Sequence, residues 1–422
     1  MKIATFFFLS LCLPLAAATF DVREFGAAGD GKTFDTAAIQ KALDACASTG
    51  GMVDFPPGTY LSRPLTIHGG TTINIEAGAV LQASPSQADF MKTTGDWLKA
   101  KSSDFVPFIS GKDLTGVTFT GGGVIDGNGA GWWPEAEKAR RAKSGYTLPR
   151  PNLIVLERCQ NVRVENLTLR NSPKFHLVPS DCEDVVISNV TVLAPEHAAN
   201  TDAIDPSGRR MLITHCRFDT GDDDIAIKAG KKVPGHDFES EDITVTDCEF
   251  LHGHGMSIGS ETAGGVRHVF VHHCTFTDTE NGLRIKSDVR RGGLVEDIDY
   301  SDITMSNVAP AITFTCYYMN NSGVDDTKTL SAAATGESPP VYRDIHIRNL
   351  SATSQKSAGL IWGLPDDCIS NVVFENVQIS APKGMSIRNA RGIQFKNSTI
   401  SVDEGPPFIG ENAQVAGLDS GR

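Results

Sequence analysis

From about residue 150 the chain repeats one short order of side chains: apolar, any, polar, apolar, any, apolar. Val164-Glu165-Asn166-Leu167-Thr168-Leu169, Ile187-Ser188-Asn189-Val190-Thr191-Val192 and Ile213-Thr214-His215-Cys216-Arg217-Phe218 are examples. Further units begin at Val245, Val271, Tyr300, Ile347, Phe374 and Phe395. Successive starts lie 23, 26, 32, 26, 29, 47, 27 and 21 residues apart, so a constant unit is joined by variable loops. Each unit alternates with period two, is rich in β-branched and aromatic residues, and is bounded by polar turn residues, so it reads as strand. No helical pattern of similar length intervenes, which argues against a βαβ sheet. Short strands returning at this period predict an all-β fold, a single-stranded parallel β-helix whose coils stack about 4.8 Å apart.

Stacking gives two groups of residues a structural place. Cys216, Cys248 and Cys274 take the inward apolar position of consecutive coils and are expected as a column of buried thiols. Cys159 and Cys182 are also one coil apart, and the pattern leaves their state open. Asn166, Asn189, Asn349, Asn376 and Asn397 fall at the polar position, where a side-chain amide satisfies the backbone of a bend.

The N-terminal part differs. Between Asp35 and Cys46, the residues Ile39, Leu43 and Cys46 share one helical face, with Asp35 placed as the N-cap and Gly50-Gly51 as the stop. One amphipathic helix ahead of a solenoid is expected to cap the open end of its core. Two long irregular segments, about 128–150 and 319–340, interrupt the coils and are expected to wall a functional face. The first carries Trp132-Trp133, which either stacks on a sugar face or packs the core of its own loop.

Residues 1–18 read as a secretory signal, with Lys2, an apolar run over Phe6–Leu15 and then Ala16-Ala17-Ala18. Residues 19–422 are then one exported, soluble domain, expected as a monomer with no membrane contact. Acidic residues outnumber basic ones by 51 to 38, which speaks against a nucleic-acid partner. Of nine cysteines, Cys12 leaves with the leader, and no Cys-x-x-Cys pair suggests a zinc ribbon.

Four polar clusters recur about one coil apart: Asn200-Thr201-Asp202, Gly221-Asp222-Asp223-Asp224, Gly253-His254-Gly255 and Arg284-Ile285-Lys286. Residues one period apart become neighbours in a coiled repeat, so these clusters form one patch. Aligning Ile225-Ala226-Ile227-Lys228 with Met256-Ser257-Ile258-Gly259 and Leu283-Arg284-Ile285-Lys286 turns the second and fourth residues outward. Arg284 and Lys286 then share a surface, with Lys228 on a neighbouring coil. Strict alternation does not bring Asp222 and Asp223 to one side, and Gly221 supplies a local turn that can. Carboxylates this close repel, so at least one keeps its proton well above the usual range. A protonated acid beside an ionised one is what glycoside cleavage requires. The cations suit an acidic ligand. Taken singly, the acidic run reads as a solvated turn or a calcium site; the common spacing is what raises the set above those readings.

At these residues the chain resembles the polygalacturonases, family 28 of the glycoside hydrolases. That family carries Asn-Thr-Asp, Asp-Asp after Gly or Gln, Gly-His-Gly and Arg-Ile-Lys in this order. The resemblance extends to Phe20-Asp21-Val22, Gly29-Asp30-Gly31 and Phe55-Pro56-Pro57-Gly58-Thr59-Tyr60 near the first coil. It implies a right-handed β-helix and hydrolysis of α-1,4-linked galacturonan with inversion. It also implies Asp222 as general acid, Asp202 and Asp223 as holders of the attacking water, and His254 as support for the acid. Arg284 and Lys286 would bind a galacturonate carboxylate, with Asn200 and either Tyr317 or Tyr318 beside them. Two positions depart from the family pattern: Asp224 replaces a common Cys and Ala203 a common Gly. Acid–base hydrolysis needs no cofactor and no metal. Rhamnogalacturonan or xylogalacturonan as substrate, a calcium-dependent lyase and a non-catalytic sugar-binding helix are the alternatives, in falling order.

Overall fold

The computed structural model describes residues 18–142, 148–230, 239–288, 291–318, 339–365 and 368–418. Nearly all of the leader, and residues 319–338 of the second long segment, lie outside these. The repeat units form parallel ladders on three faces. On one face Val162, Val185, Met211, Ile243, Val269 and Ile298 stand in register on successive coils. On the second, Val192, Phe218, Phe250, Phe276 and Met305 do the same. On the third, Leu177, Ile204, Ile225, Met256, Leu283 and Ile312 are aligned. These inward residues are all buried and form one continuous core. The parallel β-helix expected from the repeat is therefore the observed architecture.

The polar position of each repeat is a bend with left-handed backbone. Asn166, Asn189, His215, Asp247, His273 and Asp302 have φ of 56°, 52°, 53°, 55°, 53° and 54°. Asn, Asp and His enter this region at lower cost than bulky residues do, which explains the choice. The amides also bond coil to coil: Asn189 Nδ2 donates to Asn166 Oδ1 at 2.8 Å and Asn397 Nδ2 to Asn376 Oδ1 at 2.7 Å. A second left-handed column stands five residues before the first, at Asn161, Asp184, Arg210, Asp242, His268 and Asp297. The two bends bracket a four-residue strand in each of these six coils.

Helix α1, Thr36–Ala47, buries Ile39, Leu43 and Cys46 against the first strands, as its pattern predicts. The expected cap is corrected. Asp35 precedes the helix, but its side chain makes no capping bond there. Its carboxylate instead accepts from the N–H groups of Ala28 and Gly29 at 2.7 and 3.0 Å, because the preceding turn brings two free donors closer than the helix start. The segment about 128–150 is not wholly irregular either, since Trp133–Ala142 is a second helix, α2. Trp132 is fully buried among Phe90, Trp97 and Phe105, and Trp133 donates its Nε1 proton to Ser172 O at 3.1 Å. The pair is core packing that fastens this loop to the 87–105 segment and to Ser172, and it offers no sugar platform.

The described cysteines are free and buried. Cys216, Cys248 and Cys274 form the expected column, each thiol donating to the carbonyl two residues earlier at 3.2–3.3 Å. Cys159 and Cys182, left open by the sequence, are unlinked, with Cys182 Sγ accepting from Cys159 N at 3.4 Å.

Phe250 lies between Phe218 and Phe276, with ring centroids 5.4 and 4.3 Å away. Replacing it by alanine removes both contacts and leaves a cavity, so Phe250→Ala should cost about 3–5 kcal/mol. The midpoint of urea unfolding measures this; an unchanged midpoint would show that the stack adds no stability.

Candidate active site

The third face presents the chemistry. Ala226, Ser257, Arg284 and Thr313 form one outward row, and Gly259, Lys286 and Thr315 a second. Just before these strands the chain turns, and the turns of consecutive coils are bonded to each other. Ala203 N donates to Asp223 O at 2.9 Å, and His254 N to Asp222 O at 2.7 Å. Asp202, Asp222, Asp223 and His254 thereby converge, as the spacing of the clusters predicts.

Asp223 is the most tightly held member. Its Oδ1 accepts from Arg284 Nη2 and from Ser257 Oγ at 3.1 Å, and its Oδ2 from Lys286 Nζ at 2.6 Å. Burial alone would raise this carboxyl, but the Arg284 and Lys286 charges outweigh it and hold the group at about 2. Arg284 also donates to Ser257 Oγ through Nε at 2.9 Å. Sequence alignment places Arg284 and Lys286 on the outward surface, and so they are, yet their side chains are only 10% and 3% exposed. They form the floor of the cleft, already paired with Asp223.

Asp222 is more open, with its side chain 19% exposed. Asn200 donates to its Oδ2 from the backbone at 3.1 Å and from Nδ2 at 3.3 Å. Asn200 is in turn fixed through its Oδ1 by Arg150 Nη2 at 2.9 Å. His254 Nδ1 stands 3.1 Å from Asp222 Oδ1, and His254 Nε2 stands 3.0 Å from Glu280 Oε2. Burial would make His254 less basic, but the Asp222 charge and hydrogen bond, followed by the bond to Glu280, raise it to about 10. Burial would likewise raise Asp222, whereas His254, Lys286 and Arg284 together drive it below the ordinary carboxylate range. In the free site the proton therefore rests on His254 rather than on Asp222.

The expectation that one carboxyl keeps its proton is met by Asp202. Burial first, then the charges of Asp205, Asp222 and Asp223, raise it well above the ordinary range. Its Oδ1 is buried without a protein partner. Asp205 is raised to about 6 by burial, against the pull of Lys228. Lys228 Nζ donates to Gly259 O at 3.0 Å and lies 3.9 Å from Asp205 and 3.6 Å from Glu261. Beneath Asp202, His176 donates its backbone N–H to Asp202 O at 2.9 Å, and burial depresses its ring to about 4.

Asp224 does not join the cleft. It is fully buried, accepting from Thr220 Oγ1 at 3.0 Å and from Gly255 N at 3.2 Å, and burial raises its pKa well above the usual range. Its task is to hold the turn that carries His254. The two glycines of that turn follow from close approach. A Cβ on Gly253 would meet Asp224 Oδ1 at 2.5 Å, and one on Gly255 would meet Asn281 O at 2.2 Å. Ala203, the other departure, places its methyl in the core at no exposed cost.

The two tyrosines separate clearly. Lys286 Nζ lies 4.7 Å from the centroid of Tyr318, whereas Tyr317 packs on Trp362 with centroids 5.4 Å apart. Tyr318 lines the site. Oxygen and nitrogen atoms of Asp222, Asp223 and His254 come within 4.8 Å of one another, the spacing a metal ion would need. The donors do not suit calcium, which takes oxygen ligands. Both Asp223 oxygens are already occupied by cationic groups, and a divalent ion would face Arg284, Lys286 and a protonated His254. Arg150 and Glu280 lie outside the rung pattern and carried no signal in the sequence. Ser257 was legible as the outward residue beside Arg284.

Comparison with known proteins agrees with this geometry. The family model for glycosyl hydrolases family 28 matches residues 56–401. An endo-polygalacturonase of Pectobacterium carotovorum subsp. carotovorum is 33% identical over 375 residues, covering 84% of this chain and 86% of that protein. The solved polygalacturonase from Erwinia carotovora ssp. carotovora superposes with a TM-score of 0.76 at 27% identity, covering 96% of this chain and 98% of that one. A hyperthermoactive exopolygalacturonase from Thermotoga maritima gives a TM-score of 0.70 at 27% identity, covering 94% and 91%. The chain belongs to glycosyl hydrolase family 28 and is a glycoside-cleaving enzyme on that family's right-handed parallel β-helix.

Proposed function

We propose that this enzyme hydrolyses α-1,4-galacturonosidic bonds of polygalacturonan with inversion, as an exported protein. The observation that carries the reading is the Asp222–His254 pair set beside Asp223 and its two cations in one cleft. The Pectobacterium and Erwinia relatives, both named as polygalacturonases, support the substrate class. Export rests on the apolar N-terminal run; no described helix is long and apolar enough to cross a membrane.

A uronate carboxylate docking over Arg284, Lys286 and Tyr318 brings negative charge beside Asp222 and excludes water. Both effects favour the protonated carboxyl. The proton then moves from His254 Nδ1 to Asp222 Oδ1 across their 3.1 Å contact, and from there to the departing glycosidic oxygen. Asp222 suits this role because it is the most open of the three catalytic carboxyls. Water attacks the anomeric carbon from the other face, and its proton passes to Asp223, whose basicity rises as the docked uronate draws Arg284 and Lys286 away from it. The Asp222 and Asp223 oxygens are within 4.8 Å, closer than the roughly 6.5–9.5 Å common in inverting enzymes. The water therefore enters beside the pair, on the side of Asp202, rather than between them.

Asp222→Asn should lower turnover on polygalacturonate about 10²–10⁴-fold with the melting temperature maintained. Reducing-end release measures it, and near-normal turnover would remove Asp222 from the acid role. Proton NMR of the first product should show the β-anomer; an α-anomer would mean retention.

The pH dependence has a definite sign. The pKa of His254 in the fold, about 10, stands above its ordinary 6.5, so its stabilising effect is complete below 6.5 and is lost as pH rises toward 10. The thermal advantage of the wild type over His254→Gln should be greatest near pH 5–6 and shrink toward pH 10. A gap that widens with pH would contradict a protonated His254.

A further inference from the structure

Two buried thiols near the cleft face each other. Cys316 follows the third-face strand Ile312–Thr315, and Cys368 lies just ahead of the strand that starts at Ile369. Their Sγ atoms stand 3.0 Å apart, across 52 residues of chain. The thiols of the inner column behave differently, since Cys216, Cys248 and Cys274 each turn to the carbonyl two residues earlier.

The main chain on both sides of the pair is held in place. Cys316 N donates to Trp362 O at 3.0 Å, and Tyr342 N donates to Cys368 O at 2.7 Å. The Tyr342 side chain is buried and its hydroxyl donates to Thr315 O at 3.0 Å, so one residue braces the backbone beside both sulfurs. Leu364 N donates to Cys368 Sγ at 2.9 Å and fixes that sulfur where it faces Cys316. A disulfide sets its sulfurs about 2.05 Å apart, so side-chain movement of about 1 Å closes the bond.

We propose that Cys316 and Cys368 are a disulfide-forming site that staples the coils beyond the cleft to the strand end beside it. The oxidant is another disulfide, of a small molecule or a protein, of the kind an exported chain meets. The Cys368 thiolate attacks one sulfur of that oxidant, whose S–S bond breaks and releases one thiol. The Cys316 thiolate then attacks the Cys368 sulfur and expels the second thiol. Two electrons pass to the oxidant, and the two cysteine protons end on the thiols released. Burial, then Cys368 beside it, pushes the Cys316 thiol well above the usual range, so the exchange belongs to folding, before the pair is covered. The link joins the chain two residues ahead of Tyr318, whose N–H donates to Ser287 O at 3.1 Å and whose ring faces Lys286. It restricts the unfolded chain over the residues between and braces the strand end that presents Tyr318.

Refolding the full chain from urea with reduced and oxidised glutathione tests the pair with the oxidant supplied, independently of export. Free thiols are then alkylated in denaturant and the chain is digested without reductant. Mass spectrometry should find the Cys316 and Cys368 peptides joined, with Cys159, Cys182, Cys216, Cys248 and Cys274 alkylated. Alkylation of both Cys316 and Cys368 would overturn the site. In the same buffer Cys316→Ala, Cys368→Ala and the double variant should each melt about 3–6 °C below the wild type, because all three lack the same bond. Single losses that add up in the double variant would show two independent thiols and sink the link.

Discussion

Each coil of a parallel β-helix hands its backbone N–H groups to the carbonyls of the next, and that obligation fixes everything above it. Once Ile204, Ile225, Met256 and Leu283 are in register, the residues flanking them have no freedom to choose other neighbours. The bends must then be sharp, which places Asn, Asp and His in left-handed backbone at the same point of successive coils. The core, the bends and the cleft are three results of one ladder of hydrogen bonds.

The cleft's electrostatics follow from that crowding. Asp202, Asp205, Asp222 and Asp223 would repel one another strongly if left alone. The fold answers unevenly. Asp223 is pinned ionised by Arg284 and Lys286, Asp222 is paired with a protonated His254, and Asp202 keeps a proton of its own. A site whose carboxyls differ in protonation and pairing arises from similar side chains because each has different surroundings. Binding an acidic ligand then has leverage, since it competes for the very cations that set these states.

The sequence carried the parts that repeat. Coil period, inward thiols, bend amides and the convergence of four clusters were all legible, because each depends on residues one period apart. What was hidden depends on local or one-off contacts. Asp35 has the right residue type and position for a helix cap, yet two nearer backbone donors take its carboxylate. Trp132-Trp133 had two equal readings until Phe90, Trp97 and Phe105 were seen around it. Arg150 stands ahead of the repeat and reaches Asn200 across 50 residues, with no spacing to announce it. Asp224 was without a role until its carboxyl was found against Gly253 and Gly255, where it shapes the turn rather than the reaction.

The unequal distances between repeat starts, from 21 to 47 residues, bear on how such an enzyme can diversify. Loop length enters between coils, while the rise from rung to rung is dictated by backbone bonding. Insertions at the bends can thus deepen, roof or close the groove without moving Asp222 relative to His254 or Arg284. The reacting groups behave like pegs on a board of fixed pitch, and the walls around them can be rebuilt piecemeal. One scaffold of this kind can change how its groove is walled and closed while Asp222, Asp223, His254, Arg284 and Lys286 stay where they are.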